Sequence, residues 1–338
     1  MPFSSNEGYV GFARQTASGT YVAPTRFLYV KNIDITPDNN IMIQDPEIGG
    51  IRDITDNVQL GTIGWGGNID FDARPEGIGH LVLSAMGAVT SSGIAGQSGA
   101  YGHLFTPESD CLPISIEKRV GGNSTATLLD VFGYQDCKVN TLRFECAAGE
   151  MVTGTAEVVA IEERSGKTNQ TATYGTDPIF TFVNGIVNIE GVSYSVKNLS
   201  FELNNNIDTE DFRIGQRTRQ TLIEQRRELS ATLDIVPTDA NVFKNAYFGS
   251  TGDTAVANTQ TIYKGTLFIR FENPKVIGAT SQKYSMDITI EEAAFRTAPL
   301  PMSGDDMIIQ TLEMLPVKAS GSNIVTIAIR NSIENYAT

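Results

Sequence analysis

The sequence contains a partial copy of itself. Val30-Lys31-Asn32-Ile33 returns as Val196-Lys197-Asn198-Leu199, and at the same offset Asn39-Asn40-Ile41 meets Asn205-Asn206-Ile207. Asp45 then meets Asp211, and Ile48-Gly49 meets Ile214-Gly215. After a small gap Asp72 meets Asp234, Pro75 meets Pro237 and Gly87 meets Gly249. Further on, Lys138-Val139 can be laid on Lys275-Val276, with a strand ending in Glu162-Glu163 near one ending in Glu291-Glu292. The identities are sparse but their order is kept, and so is the plan: strand, long polar connection, strand, helix, more strands. Such self-similarity predicts two copies of one structural unit.

The unit is mainly β. In the segment from Cys137 to Cys146, Leu142, Phe144 and Cys146 alternate with Thr141, Arg143 and Glu145. Tyr284, Met286, Ile288 and Ile290 alternate in the same way with Ser285, Asp287 and Thr289. This period of two predicts half-buried strands in mainly antiparallel sheets. Two segments read as helical, Pro75 to Met86 and Pro237 to Phe248. Each opens on a proline, suited to a first turn, and is followed by a glycine suited to the stop.

Each copy carries a long connection, Thr36 to Ile63 in the first and Asn204 to Arg226 in the second. Loops of this length inside a compact domain are uncommon and usually functional. These hold apolar residues: Ile41, Met42, Ile43, Ile48 and Ile51 in one, and Ile207, Phe212, Ile214, Leu222 and Ile223 in the other. One reading is two ordinary β-hairpin excursions folded on their own domain. The other is two arms that bury those side chains on a neighbouring subunit.

Composition limits the chemistry. Over 338 residues, 25 Lys and Arg stand against 39 Asp and Glu, a formal net charge of -14. That balance argues against gripping phosphates by a basic surface. The hydrophobic share of 41% is ample for a core. The opening residues show no basic or apolar run of the signal-peptide kind, and no apolar run is long enough for a membrane helix. Cys111, Cys137 and Cys146 are too few for a disulfide scaffold, and with only His80 and His103 they offer no metal-ligand spacing. GxSxG, P-loop and HExxH motifs are missing. No cofactor and no catalytic residue is therefore expected.

Along its length the chain resembles the tail tube, or major tail, proteins of long-tailed bacteriophages in their large two-domain form. The opening from Gly11 to Thr16 and from Gly19 to Leu28 is similar to that family's, as is Asp72-Ala73-Arg74-Pro75-Glu76-Gly77-Ile78-Gly79. So are Tyr101 to Pro107, Gly133 to Asn140, Phe201 to Asn206, and Ile324 to Asn331 followed by Tyr336. No single motif is specific; their order carries the resemblance. It implies a structural protein, made and assembled in the host bacterial cytoplasm, whose stacked rings form the hollow virion tail. It also implies two tandem β-sandwich domains, each with one flanking helix, whose inner sheets share a barrel around the lumen. The expected division is an N-terminal arm (1–27), a first domain (28–175), a second (176–298) and an extension ending in a strand (299–338).

Two domains per chain imply homotrimeric rings with pseudo-sixfold symmetry. The implied partners are further copies of the chain, double-stranded DNA passing without specific binding, and tape measure, terminator and baseplate or tip proteins, with no membrane. If six domains each gave four strands, the barrel would hold about 24, roughly 45–50 Å across the backbone at ~4.8 Å spacing and a tilt near 40°. Side chains would leave a hole of about 35–40 Å, wider than duplex DNA at about 20 Å. DNA must slide through such a hole, so the lining should not be basic. Asp34, Asp70, Asp72, Glu202 and Asp234 lie on polar strand faces and are the candidate lining residues. Ile41, Ile43, Ile48, Ile51, Ile207, Phe212, Ile214 and Leu222 are the candidate contacts between subunits and rings.

Two rival readings remain at this stage. One is another β-sandwich tail component, such as a hub, a terminator or the tube of a contractile particle. The other is a carbohydrate-active β-sandwich. The single tryptophan, Trp65, sits among glycines rather than on a sugar platform, and adjacent pairs such as Glu162-Glu163 point to opposite faces of a strand. They could not jointly flank one glycosidic bond.

Overall fold

The computed structural model describes residues 5–45, 58–122, 128–256, 258, 262–302, 304, 307–318 and 321–336. The first half of the chain forms β1 (Tyr9–Arg14), β2 (Arg26–Leu28), β3 (Val30–Ile33), β4 (Thr36–Ile43), β5 (Val58–Asp72), α1 (Gly79–Met86), β6 (Gly87–Gly93), β7 (Tyr101–Pro107), β8 (Ile114–Gly121), β9 (Leu128–Ala147), β10 (Thr153–Ala160) and β11 (Glu162–Arg164). The second half forms β12 (Gly185–Ile189), β13 (Val192–Ser193), β14 (Ser195–Asn204), β15 (Ile207–Asp208), β16 (Ile223–Glu224), β17 (Glu228–Val236), α2 (Asn241–Phe248), β18 (Lys264–Val276), β19 (Lys283–Thr297), β20 (Gln310–Pro316) and β21 (Thr326–Asn331).

The fold is mainly β, as the alternation requires. In β17, Leu229, Ala231, Leu233 and Ile235 are buried while Ser230, Thr232 and Asp234 face outward. Both helices start a turn later than the prolines suggested and stop at the glycines. Gly87 and Gly249 adopt φ of 99° and 91° and return their N–H groups to the helix. That backbone conformation is open to glycine and strained for residues with a Cβ.

The sheet order is itself duplicated. In the first half the order is β3-β5-β10-β9, and in the second it is β14-β17-β20-β19. Long strands β9 and β19 both change neighbours midway, pairing first with β8 and β18 and then with β10 and β20. The irregularities repeat too. The register shifts at Val30/Asn32 and at Val196/Asn198, leaving Lys31 and Lys197 as the extra residues. A second shift skips Asn140 in β9 and Arg296 in β19. Bulges are positional features, and two shared at matching places are strong structural support for duplication.

This topology revises two sequence matches. Asn32 pairs with Asp70 whereas Asn198 pairs with Asp234, so Asp70 and not Asp72 is the counterpart of Asp234. Likewise β9 corresponds to β19, so Lys138-Val139 falls on Ala294-Phe295 rather than on Lys275-Val276 in β18. Gaps in sparse identities had absorbed both shifts.

The two halves are one continuous structure. β14 pairs antiparallel with the second part of β9, from Asn198↔Ala147 to Asn204↔Thr141. β21 lies between β19 and β7, tying the chain's end back to the first half. A single apolar cluster runs through both. The terminal segments are integral to it. Tyr9 and Phe12, within the expected N-terminal arm, lie in β1, which pairs with β2 and β8 of the same chain and buries both rings. Beyond residue 298, β20 completes the second half's sheet between β17 and β19. Tyr336 is fully buried, and Asn331 donates its side-chain amide to the Tyr336 hydroxyl at 2.7 Å.

Candidate functional site

The run β3-β5-β10-β9-β14-β17-β20 has one apolar face, packed on the core, and one polar face. Paired residues place Asp70, Thr155, Arg143, Glu202 and Ser230 in one row across it. The next row holds Asp72, Thr153, Glu145, Ser200, Thr232 and Glu313. Four of the five candidate lining residues, Asp70, Asp72, Glu202 and Asp234, thus share one face of one sheet. Asp34 lies just past β3, its carboxylate accepting the backbone N–H of Asn68.

Each half repeats one hydrogen-bonded triad on this face. Asp70 accepts from Asn32 at 3.5 Å and from Thr155 at 2.8 Å. Asp234 accepts from Asn198 at 2.8 Å and from Thr311 at 2.7 Å. The sequence comparison had missed Thr155 and Thr311, because β10 and β20 follow different lengths of intervening chain. Their alternation with buried neighbours was the only signal available.

The cations in these rows are already answered by carboxylates. Lys31 Nζ lies 2.5 Å from Asp72. Arg143 lies 2.6 Å from Glu145 at Nη2 and 4.0 Å from Glu202 at Nε. These pairs are exposed and add little stability, but they leave the face net acidic and poor in phosphate-binding charge. It offers hydroxyls, amides and carboxylates to solvent. A shallow open cavity of about 290 Å³ at the β9–β14 seam is lined by Glu145, Ser200, Thr232 and Asp234.

The two long connections are both hairpins, in the same register, with different surroundings. In the first, Ile41 pairs with Leu60 and Met42 with Gln59. In the second, Ile207 pairs with Glu224 and Asp208 with Ile223. The first projects: every described side chain of β4 is exposed, Ile41 and Ile43 among them. The second folds back on the first half. Ile207 and Leu222 are buried against Val159 and Ile161 of the same chain. Lys138 Nζ lies 2.7 Å from Glu224, Asn205 donates to the carbonyls of Ala85 and Val139, and Arg219 donates to the Trp65 carbonyl. Phe212 is half-buried beside Arg219, while Ile214 stands fully in solvent. Ile48 and Ile51 lie outside the described residues.

The groups weighed for sugar chemistry have structural partners. Trp65 is buried within β5 and donates Nε1–H to Glu163 at 2.9 Å, while Glu162 turns to Gln135 and Arg164. Among the described residues, no His, Cys, Asp and Glu group could hold a metal ion, and no helix is long and apolar enough to cross a membrane.

The chain is thus a duplicated β protein with a continuous polar sheet face and a projecting apolar hairpin. From residue 5 to residue 314 the chain matches the family described as phage tail tube protein, and it belongs to that family. No curated protein matched the chain. Its role is structural, as a component of the phage tail tube.

Proposed function

We propose that three copies close a ring of six similar halves, and that such rings stack into the tube through which duplex DNA leaves the virion. The observation that carries this reading is the β9–β14 seam, where one half of the chain already continues the sheet of the other. Among the described residues, β3, the counterpart of β14, pairs only with β5, so its outer edge is open. An open edge invites another strand, and barrel closure removes it. Repeating the seam between copies would carry the polar face around a lumen, with Asp70, Asp72, Glu202 and Asp234 on its wall and Asp34 beside them.

In this reading the first tube domain spans 28–175 and the second 176–298, with β1 and β2 completing the first and β20 the second. The exposed Ile41, Ile43 and Ile214 serve contacts between copies or rings. Ile207 and Leu222 make the corresponding contact within the chain. Tape measure, terminator and baseplate or tip proteins meet the assembled tube. Electron microscopy of the purified chain at high concentration tests the reading. Tubes with three chains per ring are expected, and six chains per ring would refute the stoichiometry.

A further inference from the structure

The repeat leaves one joint filled and its counterpart empty. Thr155 and Thr311 occupy equivalent places through their bonds to Asp70 and Asp234. Four residues on, Val159 is therefore the counterpart of Leu315, and the strand pairings agree: Val159 faces Lys138 and Leu315 faces Ala294, each beside the shared bulge. The hairpin registers make Ile41 the counterpart of Ile207, Leu60 of Glu224 and Val58 of Leu222.

Burial differs sharply between these counterparts. Val159 is 5% exposed beneath Ile207 and Leu222, but Leu315 is 50% exposed. Ile207 is 7% exposed, but Ile41 is 50%. The polar pair of the filled joint, Lys138 with Glu224, is replaced at the counterpart positions by Ala294 and Leu60. Both sides of the empty joint are thus apolar, where one charged side would have exposed an unpaired ion.

We propose that the β4–β5 hairpin docks on a second copy of this chain, with Ile41 and Val58 covering Leu315 and Leu60 facing Ala294. This rests on the ring reading and specifies its joint. The occupant is another copy because the filled joint already shows a hairpin of this register seated on a surface of this chain. The hairpin then repeats between chains what β15 and β16 do within one.

The test uses the full chain carrying one added cysteine, Ile41→Cys or Leu315→Cys, both at exposed positions. Mixed, assembled and treated with a short bis-maleimide, the two variants should give a species of twice the chain mass. Ile41→Cys mixed with Ser92→Cys should not. Tubes that form normally without the first species would overturn the joint and leave the tube reading standing. Wild-type chain that never assembles would overturn the ring reading and the joint together. As a second arm, Ile41→Asp with Val58→Asp should keep the wild-type circular dichroism spectrum and lower assembly at least tenfold. Unchanged assembly of that folded variant would overturn the joint as well.

Discussion

Lys138 and Glu224 join the two halves of the chain across 2.7 Å, with their side chains 17% and 11% exposed. Burial pushes the Glu224 carboxyl up, but the Lys138 ammonium and the Cys111 backbone N–H outweigh it and hold it below its ordinary value. A carboxyl depressed in the folded state adds stability above its unfolded pKa, and that share is lost as pH falls through the folded value. Glu224→Gln leaves Lys138 without its counter-charge and is expected to cost about 2 kcal/mol. Urea denaturation at pH 7 and at pH 3.5 checks this: the gap between wild type and variant should shrink in acid.

His80 supplies a second acid-sensitive element. Its ring lies 5.5 Å from that of Tyr336, and neither ring nitrogen has a hydrogen-bond partner. Burial, with smaller contributions from Arg26 and Arg14, pushes its pKa down to about 4. Between that value and about 6.5 the unfolded chain takes up a proton that the folded chain refuses, so stability falls as pH drops through this window. The full effect is about 3 kcal/mol. His103, also lowered by burial, acts in the same direction. His80→Phe should flatten the pH dependence of the melting temperature between pH 6.5 and pH 4. An unaltered slope would show that this imidazole titrates alike in the folded and unfolded chains.

The repeated triads predict matched energetics. Thr155→Val and Thr311→Val each remove one donor to a half-exposed carboxylate, so each should cost about 1 kcal/mol. Because the two sites are in different halves without a shared partner, the double variant should cost the sum. Chemical denaturation of the four proteins measures this directly, and a coupling above about 0.5 kcal/mol would contradict independent triads.

Where the fold was legible in the sequence, local chemistry spoke for itself. Leu229, Ala231, Leu233 and Ile235 announce a strand with one wet face, and Gly87 and Gly249 announce helix ends. Val30-Lys31-Asn32 and its copy reveal the duplication, but not that the lysine bulges out of register, which moves the match from Asp72 to Asp70. Pairing across a sheet depends on such single insertions, and hydrophobic alternation does not report them. The same limit applies at Ile41 and Ile207. Both sit in similar hairpin sequence, and their burial differs because a distant strand, with Val159, covers only one of them. Tyr9 and Phe12 looked armlike because β1 is short and nearly all buried, which erases the alternation.

The acidic face makes the last prediction. Replacing Asp70 and Asp234 by Lys exchanges charge on β5, ten residues along the strand from Leu60, and on β17 opposite Thr311, four residues from Leu315, and leaves Ile41 and Leu315 themselves untouched. Assembly should be nearly unchanged, apart from the loss of the two triads at about 1 kcal/mol each. The wall, however, would present six new cations per three-chain ring in place of six carboxylates, repeated at every level of the tube. Each phosphate neutralised by such a cation releases counterions and adds affinity that DNA must break to move on. At 0.15 M salt the Debye length is about 8 Å, near the clearance between wall and duplex, so the drag should be moderate there and severe at 0.01 M, where screening reaches only beyond about 30 Å. Ejection followed by dye uptake at both salt concentrations measures it: slow or stalled release is expected in low salt, with partial recovery in 0.15 M. Normal ejection in low salt from a tube of wild-type length would place this face away from the lumen.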